Sequence, residues 1–485
     1  MSCRRWGAGA ALSLLVGLIG ACHDDGTAPS AAPSVRVTNV AAAANPNNVL
    51  STIATFSASG VDSARVVYIA DSGTSGATPF TTTVAPGRIV VLGLAPATTY
   101  HLAVQVAAGD TLLTSDTLVL ATDTLPSFLQ GTHLDSDVPA SGGYVLTGIG
   151  NSTTAYAVAF DSTGAIAWYR AFSEGVPAGE IKQQVNGDIT VFLGATHGGQ
   201  AVAGRFVEVN PEGDIVRTLA AESPAFTDNH ELWLLFHDTT YDGAVYLTYT
   251  QRHLDLSADG GPSDTLVSGH QLVRVNAEGS QHTVFDAWDH FTVADNVEPV
   301  AGEPDFDHPN AIAIAADGNY VVSWRNFDAI TKIDATTGEM LWTLAAPWSV
   351  VHSDFTIEGD PLDGFSAQHC VRVVGTDDVI LFDNGTHHAP PVSRAVEYRL
   401  DETAKTATMT SEHRHDPALF TQFTGSVQRL ENGNTFIGWT WPPTLTATDV
   451  TSDGNVVWEG TLSSPGAALP YRFTKIASLY HYVSP

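Results

Sequence analysis

The chain has 485 residues, 52 acidic against 21 basic, and a formal net charge of −31. So acidic a surface repels phosphate at long range, which argues against nucleic-acid binding and against adhesion to anionic membranes. Hydrophobic residues make up 44% and charged ones 15%, which excludes wholesale disorder, while 43 glycines and 25 prolines point to short strands and frequent turns.

The first segment reads as an address. Arg4 and Arg5 precede an apolar run over 7–20 that ends in Ile19-Gly20-Ala21-Cys22. A basic head and so short a run predict a secretory signal over 1–21 rather than a spanning helix. The Ile-Gly-Ala-Cys ending resembles the bacterial lipoprotein box, which implies cleavage before Cys22, a lipid on its thiol and a flexible tether over 22–33. On this expectation the protein is an exported lipoprotein of the bacterial cell envelope, facing the periplasm or the surface. Its membrane contact is then only through the anchor on Cys22. With Cys3 removed and Cys22 acylated, Cys370 has no partner, so neither an internal disulfide nor a cysteine-based metal site is expected.

From 34 to 124 the chain alternates in strands expected over 34–40, 49–59, 64–69, 88–94, 100–107 and 111–121. Leu94-Ala95-Pro96-Ala97-Thr98-Thr99-Tyr100 resembles the tyrosine-corner segment of a fibronectin type III sandwich. There the tyrosine hydroxyl bonds back to the backbone and pins the turn before the next strand. With no cluster of histidines, cysteines or acids, this region is expected to be a spacer or docking module.

Beyond Asp123 a longer repeat begins. One half of it reads as an aliphatic run, a turn with Gly, and a second aliphatic run. Examples are Val185-Asn186-Gly187-Asp188-Ile189, Ala315-Ala316-Asp317-Gly318-Asn319-Tyr320 and Leu430-Glu431-Asn432-Gly433-Asn434-Thr435. The other half runs from Asp161, Asp334 or Val450 through Gly164, Gly338 or Gly454 to Trp168, Trp342 or Trp458. The Asn-Gly and Asp-Gly pairs supply the positive φ of tight hairpins, and two hairpins make a four-stranded sheet. Units expected over 143–172, 178–221, 230–288, 308–346, 366–412 and 425–462 define a six-bladed β-propeller over 125–485. The fold class is all-β: this propeller, preceded by a small fibronectin III-like β-sandwich. A strand within 471–482 is expected to close the ring, and 251–269 and 289–307 to be loops on one face.

Three histidines sit just ahead of the first strand of consecutive units: His230, His308 and His369. His308 lies ten residues before its hairpin glycine Gly318, and His369 nine before the turn at Asp378. Equal phase places the three imidazoles at one channel mouth, and Arg325, directly after the second strand of its unit, reaches the same end. Two chemistries fit. Neutral imidazole is a nucleophile, and neighbouring His and Arg donors stabilise a transferring sulfuryl or phosphoryl group. Equally, His230, His308 and His369 with Asp305 or Asp307 make an acceptable Zn²⁺ or Fe²⁺ ligand set. Asn310 caps a turn or joins the cluster.

At these residues the sequence resembles the bacterial arylsulfotransferases that use aryl sulfates as donors. The likeness is densest in Asp305-Phe306-Asp307-His308-Pro309-Asn310 with Ser323-Trp324-Arg325, in Phe365-Ser366-Ala367-Gln368-His369, and in Leu381-Phe382-Asp383-Asn384-Gly385 followed by Ser393-Arg394-Ala395. The resemblance implies a propeller enzyme that moves a sulfuryl group between small-molecule aryl sulfates and phenols, without a cofactor. It implies His369 as the nucleophile, transiently a sulfohistidine, and His308, Asn310 and Arg325 gripping the sulfuryl oxygens, with His230 beside them. No Gly-x-x-x-x-Gly-Lys-Ser/Thr phosphate loop is present, in keeping with a nucleotide-independent donor. Phe306 and Trp324 stack on the phenyl ring or fill the core. His387-His388 and His413-Arg414-His415 match no role in the family and are expected in loops. Two other classes use the same features: a metal-dependent propeller hydrolase or lyase, and a non-catalytic envelope-tethered binding propeller.

Overall fold

A computed structural model describes residues 35–480, apart from 152, 174–178, 195, 198–199, 202–203, 260, 299–304, 377, 442 and 466–469. The expected signal and tether, with Cys3 and Cys22, lie outside the described residues. Among the described residues no helix is long and apolar enough to cross a membrane; the regular structure is strand, with a few short 3₁₀ turns.

Two sheets form the N-terminal module. Arg36–Ala44, Thr52–Ser59 and Gly87–Val91 make one. The other is built on Ser63–Ala70 and Thr99–Ala108. Ala54, Phe56 and Ile89 from the first meet Val66, Leu102 and Val104 from the second in a closed core. The Tyr100 hydroxyl accepts the Ala95 N–H at 2.8 Å, the bond expected of a tyrosine corner. The strand expected over 111–121 is broken into Thr111–Thr114 and Leu118–Ala121, both paired to Thr99–Ala108. Between them the Ser115 hydroxyl accepts the Val104 N–H at 3.0 Å, substituting for a ladder bond. A short strand, Ser75–Ala77, has no clear sequence signal.

Among the described residues six sheets of four or five strands follow, built on antiparallel pairs, with Thr356–Glu358 added in parallel to Thr406–His413 at the edge of the fifth. Their innermost strands are Phe473–Ile476, Ile181–Gln183, Phe226–His237, Pro309–Ile314, His369–Val374 and Ser426–Arg429. They surround one axis and run the same way along it, a propeller. Closure is double. Phe473–Ile476 pairs with Tyr144–Gly150 as the inner strand of the first sheet. His133–Asp135 pairs with Val456–Ser463 as the outer strand of the last. The expected closing strand is therefore present, and a second clasp joins it.

The sandwich packs against the propeller's side. Asn47 Nδ2 donates to Asp214 at 2.8 Å, the Val49 N–H to the Tyr169 hydroxyl at 3.2 Å, and the Leu92 N–H to the Tyr480 hydroxyl at 2.9 Å. Leu92 is buried in the same cluster as Leu146, Trp168 and Ile181.

The insertions differ from the expected loops. The hairpin Thr240–Leu254 with Thr265–Asn276 extends through both ends of 251–269, and 289–307 carries the turn Val293–Asp295 and the buried Asp305 and Asp307.

Candidate active site

The three histidines each sit where an inner strand is irregular. Pairing slips between Thr227 and Leu232 around His230, between Pro309 and Ala311 just after His308, and between His369 and Arg372. A β-bulge breaks the alternation and re-aims a side chain, here along the axis instead of into a neighbouring sheet. Several non-glycine residues around the mouth hold positive φ: His308 at 44°, Ala367 at 49°, Cys370 at 55° and Thr424 at 66°. Such strain persists only where the surroundings enforce it.

The five predicted residues come together. The His230 and His308 ring centres lie 4.8 Å apart, and the Tyr471 ring stands 5.6 Å from His230 and 6.4 Å from His369. The Arg325 N–H donates to the His308 carbonyl at 3.1 Å, in a 3₁₀ turn over Arg325–Phe327. The Arg325 guanidinium donates to Asn326 Oδ1 at 2.7 Å and to the Glu298 carbonyl at 3.3 Å, and lies 5.0 Å from the Phe423 ring centre. Asn310 is fully buried and its Nδ2 donates to the Gln368 carbonyl at 2.8 Å, bolting the His308 strand to the residue before His369.

Hydrogen bonds fix the tautomer of His369. Its Nδ1 faces two acceptors, the Ala367 carbonyl at 3.0 Å and Asn384 Oδ1 at 2.8 Å. Its Nε2 faces a donor, the Thr424 N–H at 3.3 Å. The orientation of the Asn384 amide is itself set, because its Nδ2 donates to the Thr421 and Thr424 carbonyls. The proton therefore sits on Nδ1 and the lone pair on Nε2. Burial, and then the Arg325 guanidinium, hold this imidazole well below its usual pKa, so it is neutral at pH 7.

The other two histidines are backed by carboxylates. His230 Nδ1 donates to Asp228 at 2.9 Å and His308 Nδ1 to Asp305 at 2.6 Å. Between these dyads lies a buried histidine the sequence reading left out. His270 Nδ1 donates to Asp307 at 2.6 Å, and its Nε2 faces Asp228 at 3.5 Å. With a carboxylate at each nitrogen the ring carries both protons. Burial opposes the charge, but Asp307 and Asp305 outweigh it and raise the pKa well above the usual value.

Among the described residues, two groups of histidine and carboxylate hold potential metal-ligand atoms within 4.8 Å of one another: His270, Asp305 and Asp307, and Glu298, Asp328 and His387. In the first, Asp307 already accepts the His270 and His308 backbone N–H groups at 2.8 and 2.9 Å and the His270 Nδ1–H at 2.6 Å, while His270 Nε2 lies 3.5 Å from Asp228. That arrangement fits a proton-held cluster better than a cation. Among the described residues His230, His308 and His369 do not form one such group.

The alternatives open at Phe306 and Trp324 resolve to core packing, Cys370 stays unpaired, and of the two extra histidine clusters only His413 leaves the expected loops. Phe306 and Trp324 are 1% exposed and pack with Phe327 in the core; the aromatic residue beside Arg325 is Phe423, whose ring meets that of Trp441 at 5.1 Å. His388 is buried, with its Nε2 2.8 Å from Asp383, and His413 ends a strand. Cys370 is buried and free.

The propeller gathers the imidazoles of His308 and His369, both held below the usual pKa, and the Arg325 guanidinium at its axis, a donor set suited to an oxyanion. The chain belongs to the Arylsulfotransferase (ASST) family, whose profile matches residues 130–452, and is by family a sulfotransferase. A comparison with curated proteins returns no match. Among solved structures, a protein of unknown function from Bacteroides caccae is 13% identical, with 70% of this chain covering 100% of that one at a TM-score of 0.43. A catalytically inactive virginiamycin B lyase from Staphylococcus aureus with quinupristin is 10% identical, with 67% and 87% covered and a TM-score of 0.35. AztD from Citrobacter koseri is 11% identical, with 85% and 98% covered and a TM-score of 0.31. Likenesses of this order say nothing of activity.

Proposed function

We propose that this protein transfers a sulfuryl group from an aryl sulfate to a phenol through a sulfohistidine on His369. The observation that carries the reading is the tautomer of His369: a buried neutral ring with its lone pair on Nε2 at the mouth and its Nδ1 proton held by Ala367 and Asn384.

In the first step the Nε2 lone pair attacks sulfur in line and displaces the long Thr424 contact. An N–S bond forms, and the S–O bond to the aryl group breaks with its electron pair on the phenolate oxygen. The ring becomes cationic, which the two oxygens at Nδ1 favour. Arg325, His308 and His230 face the sulfuryl oxygens and the departing phenolate, while Asn310, buried and bonded to the Gln368 carbonyl, holds the His308 strand behind them. In the second step the acceptor phenol gives its proton to Nε2 of His308 or His230, each supported at Nδ1 by a carboxylate. The new phenolate takes the sulfuryl group, and the N–S pair returns to His369. Overall, one proton moves from acceptor to departing phenol, so charge balances without a cofactor. Phe423 and Trp441 offer the aryl ring a wall. In the same reading the enzyme is held at the cell envelope by a lipid on Cys22.

The test is phenol release from a chromogenic aryl sulfate, with and without a second phenol, with EDTA, and with His369→Asn. Release that the acceptor stimulates, EDTA spares and the variant lacks supports the proposal. Release blocked by EDTA moves the case to a metal enzyme, and the absence of release with any phenol pair rejects it.

A further inference from the structure

The inner strands begin at the imidazole mouth and end around a second opening at the far end of the axis. A cavity of about 580 Å³ lies there, lined by four of the chain's 21 basic residues, Lys182, Arg372, Arg429 and Lys475, and by one of its 52 acidic residues, Glu431. Such an inversion of the chain's charge balance is local, and the fold builds it from four different sheets.

The placement of the paired carboxylates gives the cavity its character. Lys182 is bonded to Glu231 and lies 3.2 Å from Glu180, and Arg372 is 3.1 Å from Glu231. Lys475 is 2.8 Å from Asp449, and Arg429 is bonded to Glu397. The Glu180, Glu231 and Asp449 side chains are fully buried, behind the cations, whereas Arg372 and Arg429 keep 17% and 23% of their side-chain surface open. From a distance the charges cancel. At contact a ligand meets N–H donors first, so recognition needs an anion seated inside the cavity. Trp233 supplies a flat wall, with Lys182 Nζ 3.7 Å and Arg372 5.6 Å from its ring centre, and its indole N–H is spent on the Ile312 carbonyl at 2.6 Å.

The cavity is separate from the imidazole mouth. Arg472, with no exposed surface, bonds Glu180, Glu231 at 2.9 Å and the Asn310 carbonyl at 2.7 Å, and plugs the axis between the two ends.

We propose that this far mouth is a binding site for a small organic anion, a sulfate or phosphate ester whose oxygens meet Arg372, Arg429 and Lys475 and whose apolar body lies on Trp233. The proposal does not depend on the chemistry at His369.

The test is calorimetric titration of the full chain with phenyl phosphate, phenyl sulfate and inorganic phosphate, repeated in Arg325→Gln to silence the near mouth. One site is expected to survive Arg325→Gln. The double variant Arg429→Gln/Lys475→Gln should weaken it at least about tenfold, and added salt should weaken it too. Lys475→Arg, which keeps the charge, should retain binding and so separates loss of the site from misfolding. Binding that vanishes with Arg325→Gln alone, binding unchanged in the double variant, or no binding at all overturns the proposal. Inorganic phosphate binding as tightly as the esters overturns the part assigned to Trp233.

Discussion

Asn384 Oδ1 lies 2.8 Å from Nδ1 of His369, and with the Ala367 carbonyl this contact holds the ring proton on Nδ1 and leaves Nε2 toward the mouth. Asn384→Leu removes the stronger of the two acceptors and frees the ring to turn or change tautomer. Turnover of an aryl sulfate is expected to fall about 100-fold with little change in KM, as for a misplaced general base or nucleophile. Steady-state kinetics beside an unchanged melting curve check this.

Asn384→Asp makes a sharper test. A carboxylate at Nδ1 favours the imidazolium and raises the pKa of His369, against the lowering by burial and Arg325 in the native site. On the role proposed for His369, kcat/KM of the native protein should hold from pH 8 down to about pH 6, because burial and Arg325 keep its imidazole neutral below its usual range. The variant should lose activity over that interval and recover it at higher pH. Parallel profiles for the two proteins would refute the assigned tautomer.

The buried imidazolium of His270 gives a stability signature of definite sign. Its pKa is raised in the folded protein, so its contribution is full below about pH 6.5 and is lost as pH climbs through the higher folded value. His270→Asn should therefore be most destabilising near pH 6, with the gap to the native protein narrowing toward pH 10. His308 and His369, whose pKa values are lowered, act oppositely: their burial weakens the fold as pH drops below about 6.5. Urea midpoints across this range for both proteins measure the difference.

Arg472 answers two buried carboxylates, Glu180 and Glu231. Arg472→Met leaves them with Lys182 and Arg372 alone and should cost about 3–5 kcal/mol. Arg472→Met/Glu180→Gln should recover part of that loss, which denaturant unfolding of the pair of variants would show.

The fold was readable where its rules are local. Gly187, Gly318 and Gly433 mark hairpin turns because their φ values of 87–88° and 84° suit glycine, and Tyr100 bonds five residues back. The phase of His230, His308 and His369 was readable because bulges at equivalent points of the inner strands repeat in sequence. What could not be read lies across the ring. Arg472 meets Glu231 over 241 residues, and Arg372 meets it over 141. His270 stands in the third strand of its sheet, out of phase with the other three, and only the tertiary fold brings it to Asp307. Asn384 stood within a recognised motif, but its role as an orienting acceptor depends on Thr421 and Thr424, in the loop leading to the next sheet, holding its amide.

The double clasp has a consequence for biogenesis. Tyr471 and Arg472, which floor and plug the mouth, immediately precede the strand Phe473–Ile476 that completes the first sheet. During synthesis from the N-terminal end, five sheets can stack while the first still lacks its inner edge, and the imidazoles have no floor beneath them. Arrival of residues 471–476 finishes the ring and the reaction centre in one event. A chain that stops short of residue 471 would thus lack the closing strand and the Tyr471 ring beside His230 and His369 alike.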